Sequence, residues 1–197
     1  MQRLILSLIF TLCCAQLYAQ QQYNRVAPQK ADSVIESIKS VFPKFYREYK
    51  YLLAQDSLIK EVRFIDERAV GPAFASPKGI ITFNIDYLKR RRPAFDDNRL
   101  IVVLYHETGH LHYYMLTPKE KWTPEESEKA AFEYSLLKTS EMVAKNDCLP
   151  LAAGLKFMKL RSESNDTKDP HVRALKRMVT EPLYASYLKY LNDHCNQ

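Results

Sequence analysis

Glycine is scarce in this chain, 4 among 197 residues. That scarcity argues against Gly-rich phosphate loops and against a turn-rich all-β fold. No internal repeat or low-complexity tract is present, which excludes solenoid and fibrous architectures. Nor is there a zinc-finger or RNA-binding motif beside the basic cluster Lys89–Arg92, so the formal charge of +6 reads as a solvated basic loop rather than a nucleic-acid surface. Long apolar runs are also lacking. The longest, Leu4–Cys14, is too short for a comfortable transmembrane helix.

That run follows Arg3 and precedes Leu17-Tyr18-Ala19, the layout of a secretory signal, so residues 1–19 are expected to be a cleaved signal peptide. The exported product would be periplasmic or secreted. An uncleaved anchor and lipid attachment at Cys13 or Cys14 are the alternatives. Residues 20–30 read as a linker or short propeptide and 31–197 as one domain, with no integral membrane span in the mature chain. Cleavage would leave Cys148 and Cys195, an even pair in a disulfide-permissive compartment. Joined, they would close a long loop worth roughly 4 kcal/mol; two free thiols are the other possibility.

What is present supports a packed core: 46% of residues are hydrophobic and 26% charged. Val34, Ile35, Ile38, Val41, Phe42 and Phe45 recur at helical spacing from Asp32 to about Leu53, with a break expected at Pro43. Glu61–Asp66 and Ile80–Asp86 read as strands, with turns at Gly71-Pro72 and Pro77-Lys78-Gly79. Helices are expected over Leu100–Leu116, from Thr123-Pro124 to about Lys145, over Leu149–Leu160, from Asp169-Pro170 to Val179, and over Leu183–Asn192. The fold class is α+β, mostly helical with a small sheet.

His106-Glu107-Thr108-Gly109-His110 is an HExxH string inside one of those helices. Residues four apart lie nearly one above the other, so both imidazoles can reach one Zn²⁺ at about 2.0–2.1 Å. Glu107, turned aside, can act as general base without occupying a coordination position. The string arises by chance in on the order of one chain in two hundred of this length, so further residues must carry the case. A third ligand is expected from the helix that starts at Pro124. Glu128, one turn inside it, is the first choice and Glu133 the second; Glu125 and Glu126 are accounted for by capping and the helix dipole. His112 and His194 read as ordinary surface histidines.

His106–His110 together with Glu128-x-x-Ala131-x-x-Tyr134-Ser135 resembles the membrane-associated metallopeptidases of the HtpX and CAAX prenyl protease type. Pro72–Ile80 is similar to the segment that leads that family into its substrate-pairing edge strand. Asp169-Pro170-His171 followed by Arg177 is similar to its H-P-x-x-x-x-R motif. The resemblance spans roughly residues 61–178. It implies a zincin-like core of the gluzincin type, one Zn²⁺ held by His106, His110 and Glu128, and Glu107 as catalytic base. It further implies that His171 faces the oxyanion, that Arg177 holds Glu128, and that Ala73, Phe74, Ile80, Ile81 and Thr82 bind substrate, with Ile80–Ile85 as the edge strand. Phe132 stands where that family has Asp, and the family's transmembrane helices are missing. The expected function is an exported zinc-dependent endopeptidase acting on peptides or proteins; the alternative is a catalytically weak or inactive peptide-binding module.

Overall fold

The computed structural model describes residues 25–68 and 71–195. The expected signal peptide lies outside them. Helices and one small mixed sheet make an α+β architecture in which no described helix is long and apolar enough to cross a membrane.

The first apolar helical stretch divides at Phe42 into α1 (Pro28–Val41) and α2 (Pro43–Gln55). Pro43 lacks an N–H and occupies a position in the first turn of α2, where none is required. Three strands follow: β1 (Glu61–Ile65), β2 (Ala73–Ser76) and β3 (Ile80–Asn84). Their order is β1-β3-β2, β1 parallel and β2 antiparallel to β3. The β2–β3 turn depends on Gly79, whose φ of +79° is open to few other residues. At the far edge Val26 N–H donates to the Phe64 carbonyl at 2.9 Å, so the chain entering the fold covers part of β1.

The strand order corrects one expectation. Ile80, Ile81 and Thr82 belong to the central strand, with β1 on one side and β2 on the other. Their backbone groups serve the sheet, and Ile81 and Thr82 are 0% and 6% exposed. Among the described strands β2, which carries Ala73 and Phe74, is the outer one on that side. Four residues, two of them alanine, give no strand pattern in sequence, and the outer strand is therefore not legible there.

Helix α3 (Asp97–Leu116) is the axis of the molecule, buried almost continuously from Leu100 to Leu111. One side packs with α2, Phe64, Ile81 and Phe83 in a first core. On the other side lie α4 (Pro124–Val143) and α5 (Leu149–Ser162), followed by α6 (Pro170–Met178) and α7 (Pro182–Cys195). A second core of Phe132, Leu136, Leu151, Leu155, Met158 and Leu175 binds these together. Cys148, which caps α5, and Cys195 at the end of α7 are joined in a disulfide with their Cα atoms 6.0 Å apart.

Candidate metal centre

Two contacts between α3 and α4 build the site. Gly109, inside the HExxH string, faces Ala131: a Cβ at Gly109 would lie 2.7 Å from the Ala131 Cα and 2.9 Å from the Tyr134 Cβ. Only paired small residues allow backbones so close. Thr123, the N-cap of α4, accepts from the Glu126 N–H at 3.2 Å and sets where that helix begins. Glu128 is thereby carried one turn along α4 to a point beside the two imidazoles.

Glu128 Oε2 stands 3.2 Å from His106 Nε2 and 3.6 Å from His110 Nε2. Two ligands each about 2.0–2.1 Å from a tetrahedral zinc are roughly 3.3 Å apart, so the spacing matches a shared ion. One ligand atom from each of these three buried residues lies within 4.8 Å of the others, and the group could hold a metal ion. A further observation fits. Glu128 Oε2 is buried and makes no well-directed hydrogen bond, although Nε2 of His106 and Nε2 of His171 each stand 3.2 Å away; a cation held among them would satisfy it. Burial, then the charges of His171 and Arg99, hold His106 well below its usual pKa; burial, then His106, pushes His110 down to about 3. Both imidazoles are neutral near pH 7, as metal ligands must be.

Support for the ligands is uneven. His110 Nδ1 is 2.8 Å from Ser127 Oγ, which leaves Nε2 free for the metal. His106 Nδ1 is buried without a partner, and the Phe132 ring packs on that imidazole at 4.3 Å between centroids. An aromatic side chain, not a carboxylate, thus lies against His106. Glu107 is fully buried beside the group. Burial and the neighbouring Glu128 charge raise its pKa to about 8, against which the backbone N–H of Ala75 on β2 donates to it. The candidate base is therefore tied to the outer strand β2.

His171 enters from α6, with Nε2 3.2 Å from Glu128 Oε2 and the side chain 46% exposed. Asp169 accepts from the His171 N–H at 2.8 Å, as N-cap, and lies 2.9 Å from its Nδ1, fixing the ring. Arg161 in turn pairs with Asp169. Neither Ser127 nor Asp169 was read from sequence as part of the site. Asp169 was legible there only as a helix cap, and Ser127 was masked by its neighbour Glu128.

Arg177 is placed differently from the expectation. Its guanidinium bonds Glu126 at 2.8 Å and approaches Glu125 at 3.5 Å, while Arg173 holds Glu125 at 3.0 Å. These carboxylates lie at the solvent-facing start of α4, whereas Glu128 points inward to His106, His110 and His171. The two arginines thus clamp α6 to the acidic first turn of α4. Glu133 is likewise engaged elsewhere, with Lys129 at 2.5 Å. His112, facing away from the site, pairs with Asp56 at 2.7 Å.

No family model, no curated protein and no solved structure matches this chain, so the reading of this centre rests on its own residues.

Proposed function

We propose that the chain is a zinc-dependent endopeptidase with a zincin-like core, a compact relative of the HtpX and CAAX prenyl protease type. The single observation that carries this reading is the buried Glu128 oxygen set against two neutral imidazoles, with a separate carboxylate, Glu107, alongside. A zinc ion bound there supplies Lewis acidity and lowers the pKa of a water towards neutrality. With the metal in place to favour its ionised form, Glu107 would act as the general base and return the proton to the leaving amine, a role that fits its position beside the ligand group. His171, oriented by Asp169, faces the carbonyl oxygen as its charge develops. The outer strand β2, which Glu107 meets at Ala75, would be the strand alongside which an extended substrate lies. The Cys148–Cys195 disulfide favours an oxidising compartment, and hence export.

A second reading rests on His171. If it acted as a fourth protein ligand, it would close the coordination sphere and leave a metal-stabilised peptide-binding module. The two readings separate experimentally. For a peptidase, the mature protein carries one zinc per chain and Glu107→Gln abolishes cleavage of a peptide library at unchanged zinc content. His171→Ala then lowers kcat and keeps the metal. Loss of zinc in His171→Ala, with no hydrolysis by the unaltered protein, would establish the closed site instead.

A further inference from the structure

Arg99 stands on α3 two turns before His106, on the same helical face and on the order of 10 Å away along the axis. Its guanidinium carbon lies 3.4 Å from the Phe157 ring centroid and 5.7 Å from that of Phe95. Phe157 leads back to the metal centre. Its ring is 6.4 Å from Phe132, which is 4.3 Å from His106 and 6.1 Å from His171. A series of aromatic contacts, part of the second core, thus links the centre to this one cation.

Arg99 differs from every other arginine among the described residues. Arg63, Arg91, Arg92, Arg161, Arg173 and Arg177 each hold a carboxylate. Those without one, Arg25, Arg47, Arg68 and Arg90, are exposed. Arg99 is only partly exposed, and burial with no carboxylate to offset it pushes its pKa down to about 10. Stacking on Phe157 offsets some of that cost and holds the planar fork in place, leaving its N–H groups unclaimed by any acid.

The location along the strand edge is also set. The cavity of about 190 Å³ beyond Ser76, lined by Pro77, Gly79, Leu111 and Tyr114, lies towards the C-terminal end of α3. Glu107 meets Ala75 in the middle, so Ala73 lies towards the end of α3 that carries Arg99. A peptide following β2 past Ala73 would come level with Arg99 about three to four residues from the bond at Glu107, at about 1.5 Å per helical residue and 3.3–3.6 Å per extended residue.

We propose that Arg99 receives a carboxylate of the bound peptide, making the site selective for an acidic side chain or a C-terminal carboxylate at that distance from the cleaved bond. The inference rests on the peptidase reading of the centre for its direction, but its ligand chemistry can be tested separately. A planar guanidinium already fixed by stacking loses little freedom on taking a bidentate carboxylate.

The test uses zinc-loaded protein and a positional series of short fluorescent peptides carrying Glu or Gln at one site, with free or amidated C-termini. One Glu position, or the free C-terminus, is expected to raise kcat/KM about tenfold to a hundredfold over its neutral match. Arg99→Gln should bring the ratio between matched acidic and neutral peptides to about one, and Arg99→Lys should retain part of the preference. Equal cleavage of every matched pair by the unaltered protein, or a preference that survives Arg99→Gln, overturns the proposal. Fluorescence anisotropy with the same peptides on Glu107→Gln separates the two claims. Preferential binding of the acidic member without any hydrolysis by the parent removes the peptidase reading and keeps Arg99; binding of neither member removes Arg99.

Discussion

Within the centre, burial sets the protonation of each group, and the groups oppose one another. His106 and His110 have folded pKa values below the ordinary 6.5, so the stability they contribute is present above that value and drains away as the pH falls towards about 3 for His110. Glu107 acts in the other direction. Its folded pKa of about 8 lies above 4.5, so its contribution is complete below 4.5 and is lost as the pH rises through 8. Burial raises Glu128 as well, adding to the alkaline loss. Metal-free protein should therefore be most heat-stable between these limits. Bound zinc needs neutral imidazoles and an ionised Glu128, so added zinc is expected to raise Tm more at pH 8 than at pH 5. Melting curves with and without the ion check this, and an equal rise at both pH values would place the metal on other residues.

Among the elements, the α3–α4 contact decides whether a site exists. Gly109 and Ala131 let the helices approach until Glu128 meets the imidazoles. A methyl group at Gly109 would sit 2.7 Å from the Ala131 backbone, which cannot yield as a flexible side chain would. Gly109→Ala is expected to cost about 1–3 kcal/mol and to weaken zinc binding by tenfold or more as α4 shifts outward. Chemical denaturation and competition with a metal chelator measure the two effects. Zinc affinity that survives the substitution would show that the close approach is not what positions Glu128. The α4–α6 clamp has a different weight. Arg173 and Arg177 meet Glu125 and Glu126 at a half-exposed surface, where such pairs contribute about 0–1 kcal/mol each.

For the molecule as a whole, the two cores divide the work. The first packs the sheet on α2 and α3, and the second gathers α4 to α7. The Cys148–Cys195 bond ties the last helix to the start of α5, across 47 residues of chain. A loop of that length is worth roughly 4 kcal/mol in lost unfolded-state entropy, on the order of 10 °C in Tm for a domain of this size. The double substitution Cys148→Ser, Cys195→Ser should lower Tm by about that amount in a thermal melt and leave zinc content unchanged. The metal ligands lie on α3 and α4, away from the bridge. Loss of zinc would mean that α7 supports the centre after all.

Reading along the chain was enough for whatever is local. Helical periodicity, Pro43, the caps Thr123 and Asp169, and the HExxH string each depend on neighbours a turn or less away, and the elements formed there. Other features depended on three-dimensional proximity. The chain order of the strands is β1, β2, β3, yet β3 pairs with both others, which puts Ala73–Ser76 rather than Ile80–Ile85 on the outer side of the described sheet. Arg177 found Glu126 rather than Glu128, and Ser127 and Asp169 turned out to orient His110 and His171. Each of these is a long-range pairing between groups whose local sequence gives no hint of the partner. The imidazole pair could be read from a single helix; the carboxylate that meets it, and the unpaired guanidinium two turns away, depended on how closely separate helices pack.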